Sequence, residues 1–159
     1  MRFKNLVASL SNEDILNLIY LQDKLLIKKL TIDKNIEVNG LYKLIGVNFE
    51  FYTKLSVIDF HDNTLYIKIE DFKLANKNNS SIIVKKSIGF ITNSINEIDG
   101  IILDQNMLKI DLKELLDSYC SEDIGIKINK LKINNVLIKN NEIELALGLL
   151  EISILKNKK

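Results

Sequence analysis

From Val47 to Leu74, apolar and polar residues alternate along two runs that flank His61-Asp-Asn-Thr64. In the first run Val47, Phe49, Phe51, Leu55 and Val57 point one way, while Asn48, Glu50, Lys54 and Ser56 point the other. In the second, Leu65, Ile67 and Ile69 share a face opposite Tyr66, Lys68 and Glu70. A period of two belongs to strands with one buried face. Asp62-Asn63 tolerate the left-handed backbone of a tight turn, so the pattern predicts a β-hairpin over residues 47–74.

The period then changes. Val84, Ile88, Ile91, Ile95 and Ile98 recur at spacings of four and three, which is one stripe of an α-helix. A main helix is predicted over 81–97, capped by Ser80 or Ser81, with Gly100 just past its end. Its β-branched isoleucines and Gly89 lower its intrinsic propensity, so it needs tertiary burial to persist. Nearer the start, Ser11-Asn-Glu-Asp14 is a helix-capping pattern. Ile15, Leu18, Ile19, Leu25 and Leu26 continue at helical spacing, giving a first helix over 11–23. Leu26, Leu30 and Ile32 fit a helix or a strand equally well.

In the last third, Met107, Leu108 and Ile110 form a strand that runs into Asp111-Leu-Lys-Glu114, a capping box with Leu112, Leu115 and Leu116 behind it. That predicts a strand and short helix over 107–118. Ile124, Ile126 and Ile128 alternate, and Leu131 and Ile133 resume in the opposite phase, predicting a bulge near Asn129. Asn140-Asn141 make a second hairpin turn within C-terminal strands over 124–155. The final Lys-Asn-Lys-Lys reads as a frayed end. No linker or repeat interrupts the pattern, so one domain is expected over 1–159. Half-buried strands on both sides of a helix favour an antiparallel α+β arrangement: a curved sheet of long amphipathic strands wrapping one main helix.

Composition narrows the function classes. With 22 basic and 21 acidic residues in 159, the net charge is +1, which gives no reason to expect nucleic acid as a partner. Arg2 is the only arginine, so bidentate phosphate recognition has little to draw on. Cys120 is the only cysteine and allows no internal disulfide and no cysteine zinc site. The opening run has no signal-peptide pattern, and no stretch approaches the ~20 apolar residues of a membrane span. A cytoplasmic location is the expectation.

No catalytic constellation emerges. His61 is the only histidine and sits in a turn, so a triad has no base beside a nucleophile. Asp59, Asp62 and Asn63 lack the spacing and glycine of a calcium loop. Cys120 reads as a small buried hydrophobe, and the helix cap accounts for Asp111 and Glu114. The six glycines are dispersed and form no phosphate-cradling loop. Lys85-Lys86 read as a solvated helix face, with peripheral contact to lipid headgroups as the other reading. No enzyme, metal or cofactor is expected.

The long hairpin, the isoleucine-striped helix, MLKIDLKELL and IGIKINKLKINNVLIKNNEIELAL together resemble small bacterial domains of the tubular lipid-binding (TULIP) superfamily, of the LmeA-like kind. The similarity spans roughly residues 30–150 and lies in element order and pattern. It implies an apolar groove between sheet and helix, lined by Phe49, Phe51, Leu55, Val57, Leu65, Ile67 and Ile69 and by Val84, Ile88, Ile91 and Ile95. Many relatives are exported or membrane-anchored, which the opening residues do not match. Two functions are therefore expected: binding of a lipid or other apolar molecule, or protein interaction through sheet edges around a self-filled core.

Overall fold

The computed structural model describes residues 1–19, 25–44, 47–74, 81–121 and 125–155, with backbone alone for 18–19, 44, 47 and 81–88. The described elements are β1 (Arg2–Ser11), α1 (Asn12–Ile19), β2 (Leu25–Ile32), β3 (Ile36–Leu44), β4 (Val47–His61), β5 (Thr64–Leu74), α2 (Ser81–Asn96), β6 (Ile101–Asp104), β7 (Met107–Asp111), α3 (Leu112–Tyr119), β8 (Ile126–Lys139) and β9 (Glu142–Ile154). They build two antiparallel sheets. One has three strands in the order β1-β9-β8; the other has six, in the order β2-β3-β4-β5-β7-β6.

The β4–β5 hairpin stands where alternation predicts it. Asp62 and Asn63 both have positive φ, 51° and 61°, which matches the right-handed twist of the flanking strands. The alternation is interrupted at one point. Register steps from Val57–Ile67 to Asp59–Tyr66, leaving Ile58 without a partner. That bulge shifts the apolar phase so that Phe60 faces Leu65, and it turns Ile58 into solvent. A second bulge leaves Glu70 unmatched, and beside it the Thr53 hydroxyl donates to the Asp71 carbonyl at 2.9 Å.

Two apolar clusters hold the layers together. In the first, Leu30 and Ile32 of β2, Ile36, Val38 and Tyr42 of β3 and Phe51 of β4 meet Ile91 of α2. The Tyr42 hydroxyl fixes the helix by sharing a 2.7 Å hydrogen bond with Ser94 Oγ and donating to the Phe90 carbonyl at 3.2 Å. In the second, Leu112 of α3 packs with Ile128, Leu131 and Ile133 of β8 and Leu145 and Leu147 of β9. Phe60 and Ile110 of the larger sheet lean on this cluster, and Ile138 and Ile143 of the smaller sheet lean on the first.

Local capping follows the side-chain chemistry. Ser11 Oγ accepts the Asp14 amide, and Asp14 accepts both the Ser11 amide and hydroxyl. Those two bonds, side chain first, hold the Asp14 carboxyl below its ordinary range. Asp111 caps α3 by accepting from the Lys113 and Glu114 amides at 2.9 and 3.0 Å.

Several expectations need correction. Instead of one curved sheet wrapping a helix, there are two sheets, neither strongly curled. The ambiguous segment is strand, β2 paired with β3. The first helix begins as expected but is described only over Asn12–Ile19. Residues 20–24, Ser80, Ile124 and the terminal Lys-Asn-Lys-Lys lie outside the described residues. Pairing of the opening residues with β9 was not anticipated: Val7 faces Ala146 and Leu10 faces Ile143. The Asn129 bulge is where the phase change puts it, between Ile128 and Lys130.

Candidate functional site

Among the described residues, the apolar layer between α2 and the six-stranded sheet is packed by the chain's own side chains. Phe51, Leu65, Ile67 and Ile91 are buried. Phe49, Leu55, Val57, Ile69 and Ile95 are half-buried, and of these Phe49, Leu55, Val57 and Ile95 pack against the first cluster. The Phe51 ring stacks on Phe72 with centroids 6.0 Å apart. The side chains of Val84 and Ile88 lie outside the described residues. Of the predicted residues, Phe49, Phe51, Leu55, Val57, Ile91 and Ile95 are thus brought to one layer with Leu30, Ile32, Ile36 and Val38 of β2 and β3, while Leu65, Ile67 and Ile69 belong to neither cluster.

A hollow of about 520 Å³ lies at the base of α3, lined by polar residues that include Asp99, Asp111, Glu114 and Asp117. Structural duties account for three of these carboxylates. Asp111 caps α3, Asp117 accepts the Ile128 amide at 2.5 Å, and Asp99 accepts the Ser118 hydroxyl at 3.1 Å. Among the described residues, no group of three histidine, cysteine or acidic side chains is placed to hold a metal ion. His61 is exposed, 3.0 Å from Asp59 and stacked on Tyr66. Cys120 is half-buried in the second cluster. Burial pushes its thiol pKa up, and Asp117 adds to the effect, the opposite of what a nucleophile needs.

The sheet margins are more informative. An unpaired strand edge is a template for another chain, and here three of the four edges meet an asparagine. Asn63, in the β4–β5 turn, donates to the Leu131 carbonyl at 2.9 Å and accepts the Ile133 amide at 2.8 Å, crossing the edge of β8. Asn96, ending α2, binds both backbone groups of Leu103 on the β6 edge, at 3.3 and 2.6 Å. On β2, the Asn12 side chain donates to the Leu30 carbonyl and the Asn141 amide to the Ile32 carbonyl. A side-chain amide carries one donor and one acceptor face, so it can stand in for a strand.

The fourth edge, the outer side of β1, has no backbone partner among the described residues. Leu6 and Val7 flank it, 39% and 66% exposed. No sequence signal marked these asparagines, since each reads as turn or helix-end chemistry. Asn96→Ala should cost about 1–2 kcal/mol by stripping both partners from Leu103, readable as a lower urea midpoint. An unchanged midpoint would show that water replaces the amide without loss. No family model matches the chain, and no curated protein or solved structure matches it.

Proposed function

We propose that this chain is a non-enzymatic interaction module that accepts an extended segment of a protein partner along the free edge of β1. The contrast among the four edges carries this reading: asparagines meet β8, β6 and β2, and β1 has no such partner among the described residues. Strand addition draws affinity from main-chain hydrogen bonds and specificity from side chains on alternate faces. β1 offers Leu6 beside the second cluster and Val7 on the opposite face, toward Ala146. A core filled by its own side chains supports a scaffold role over a ligand-holding one.

The resemblance to tubular lipid-binding domains carries the second reading, an apolar ligand in the layer of Phe49, Phe51, Ile91 and Ile95. Native mass spectrometry separates the two. A lipid mass at near-stoichiometric occupancy would favour the groove, and a ligand-free mass with bound protein or dimer would favour the edge. Val7→Lys puts a charge on an edge side chain already largely in solvent. It should leave the melting temperature unchanged and abolish self-association or partner capture, measured by sedimentation and pull-down. A monomer at every concentration, with no partner sensitive to this substitution, would sink the proposal.

A further inference from the structure

The free edge of β1 is short, and its register is fixed. Successive residues of a strand send their N–H and C=O groups to opposite edges. The Asn12 amide binds the Asn141 carbonyl in the β8–β9 turn, while the Ser11 amide points the other way, to Asp14 Oδ2 at 2.8 Å. Along the unbroken Leu6–Ser11 register, Leu6, Ala8 and Leu10 therefore bond to β9, and Val7 and Ser9 present their backbone groups outward. The window is bounded at both ends. Asp14 holds the Ser11 amide at one. At the other, Asn5 has φ 53° and drops out of the ladder between Lys4–Leu149 and Leu6–Leu147.

The side chains around this window are symmetric. Ala8 and Leu10 pack against the second cluster, and Leu6, opposite Leu147, shares their face. The inward row thus reads leucine, alanine, leucine, centred on Ala8. No charge and no proline, the usual guards of an exposed edge, stands between Leu6 and Ser11. Charge, by contrast, is divided along the sheet. On the outward face the register gathers Arg2 and Lys4 with Lys127, Lys130 and Lys132 at one end. Glu142 and Glu144 lie at the other.

We infer that the occupant of this edge is a second copy of the chain, two β1 strands pairing antiparallel about a two-fold axis at Ala8. The inference rests on the edge reading above and names its partner. In this register Val7 of each copy exchanges both backbone bonds with Ser9 of the other, so every outward group in the window is satisfied. Other dyads fail. One at Val7 would set Ser9 against the left-handed Asn5, and one at Ser9 would set Val7 against Ser11, whose amide is taken. Ala8 meets its own copy in a non-hydrogen-bonded pair, where Cα atoms come within about 4.5 Å and a small side chain fits. Leu6, 39% exposed, is covered by the second copy's Leu10. Antiparallel pairing also lays the basic end of each sheet beside the acidic end of the other. Such a contact is self-complementary and closes at two copies.

Sedimentation analysis up to about 1 mM, a range that reaches weak contacts of small area, should show the dimer. Ser9→Pro removes an amide that β9 does not use, and symmetry removes it twice, so dimerisation should weaken more than about ten-fold. Register is read by cysteines in a Cys120→Ala background, which leaves a single thiol. Under diamide, Ala8→Cys should form an intermolecular disulfide at least about ten-fold faster than Ser9→Cys, whose diagonal separation of about 7–8 Å is beyond bridging range. Ser9 is the more exposed of the two, so accessibility alone would give the opposite order. If Ser9→Pro fails to fold, the cysteine pair decides. Equal cross-linking rates, or a dimer indifferent to a folded Ser9→Pro, would overturn the inference. So would a monomer at every concentration; if that monomer still captured a partner in a Val7-dependent way, the edge reading would stand with another protein as its occupant.

Discussion

Replacing Phe51 with alanine should lower the unfolding free energy by about 3–5 kcal/mol. The ring is buried in the first cluster, stacks on Phe72 and lies directly across from Gly40 on β3. A Cβ at Gly40 would come within 2.5 and 2.6 Å of Phe51 Cζ and Cε1, and within 3.0 Å of the Leu26 carbonyl. The glycine is thus the floor on which the ring rests. Gly40→Ala should cost about 1–3 kcal/mol in the wild-type chain, because the ring has to move within a packed layer. In the Phe51→Ala background most of that cost should vanish. Urea denaturation of the four proteins gives the coupling directly. Additive losses would show that ring and glycine do not share the space. A Phe51→Ala loss under about 1 kcal/mol, far below the core range, would mean slack in the layer and would revive the ligand reading.

Gly100→Ala is the second large expected effect, a loss of about 2–5 kcal/mol. Gly100 has φ +79°, and a Cβ there would sit 2.7 Å from the Leu115 amide nitrogen and 2.8 Å from the Asp111 carbonyl. The left-handed conformation costs an L-residue about 1–2 kcal/mol, and crowding that only backbone movement relieves adds about 1–3 kcal/mol. The Gly100 carbonyl also accepts the Asp111 amide at 2.7 Å, so a shift here would disturb the residue that caps α3. Gly125 is the natural comparator, with φ +69° and nothing within 4 Å of a built Cβ. Gly125→Ala should show the conformational cost alone. Equal thermal destabilisation of the two variants would mean that the α3 backbone yields freely.

The hydrophobic pattern was sufficient for elements that bury one face against a close neighbour in sequence. The 47–74 hairpin, the helix from Ser81, the Asp111 cap and the Asn129 bulge all follow from residues a few positions apart. Elsewhere local pattern could not decide. Leu26, Leu30 and Ile32 suit either period, and they become a strand because β3 offers them a partner and the first cluster buries Leu30 and Ile32. The Ile58 bulge was hidden because Val57 and Phe60 both look apolar in any phase; only the Phe60–Leu65 pairing shows the step. The apolar candidates Phe51, Leu65, Ile67 and Ile91 were legible as buried positions, but a sequence cannot say whether a ligand or Leu30, Ile32 and Val38 fill the layer.

What the sequence determined by itself is the α+β composition and the hairpins and turns, consequences of periodicity and residue chemistry within a short reach. The tertiary structure decided the division into two sheets and the use of asparagines as edge covers. It also decided the meeting of β1 with β9 and the gathering of Arg2 and Lys4 with Lys127, Lys130 and Lys132 on one face. The last two features join residues more than a hundred positions apart. A strand's edge partner and a surface charge's neighbours are set by which segments the core brings together, and that choice leaves no periodic mark in the chain.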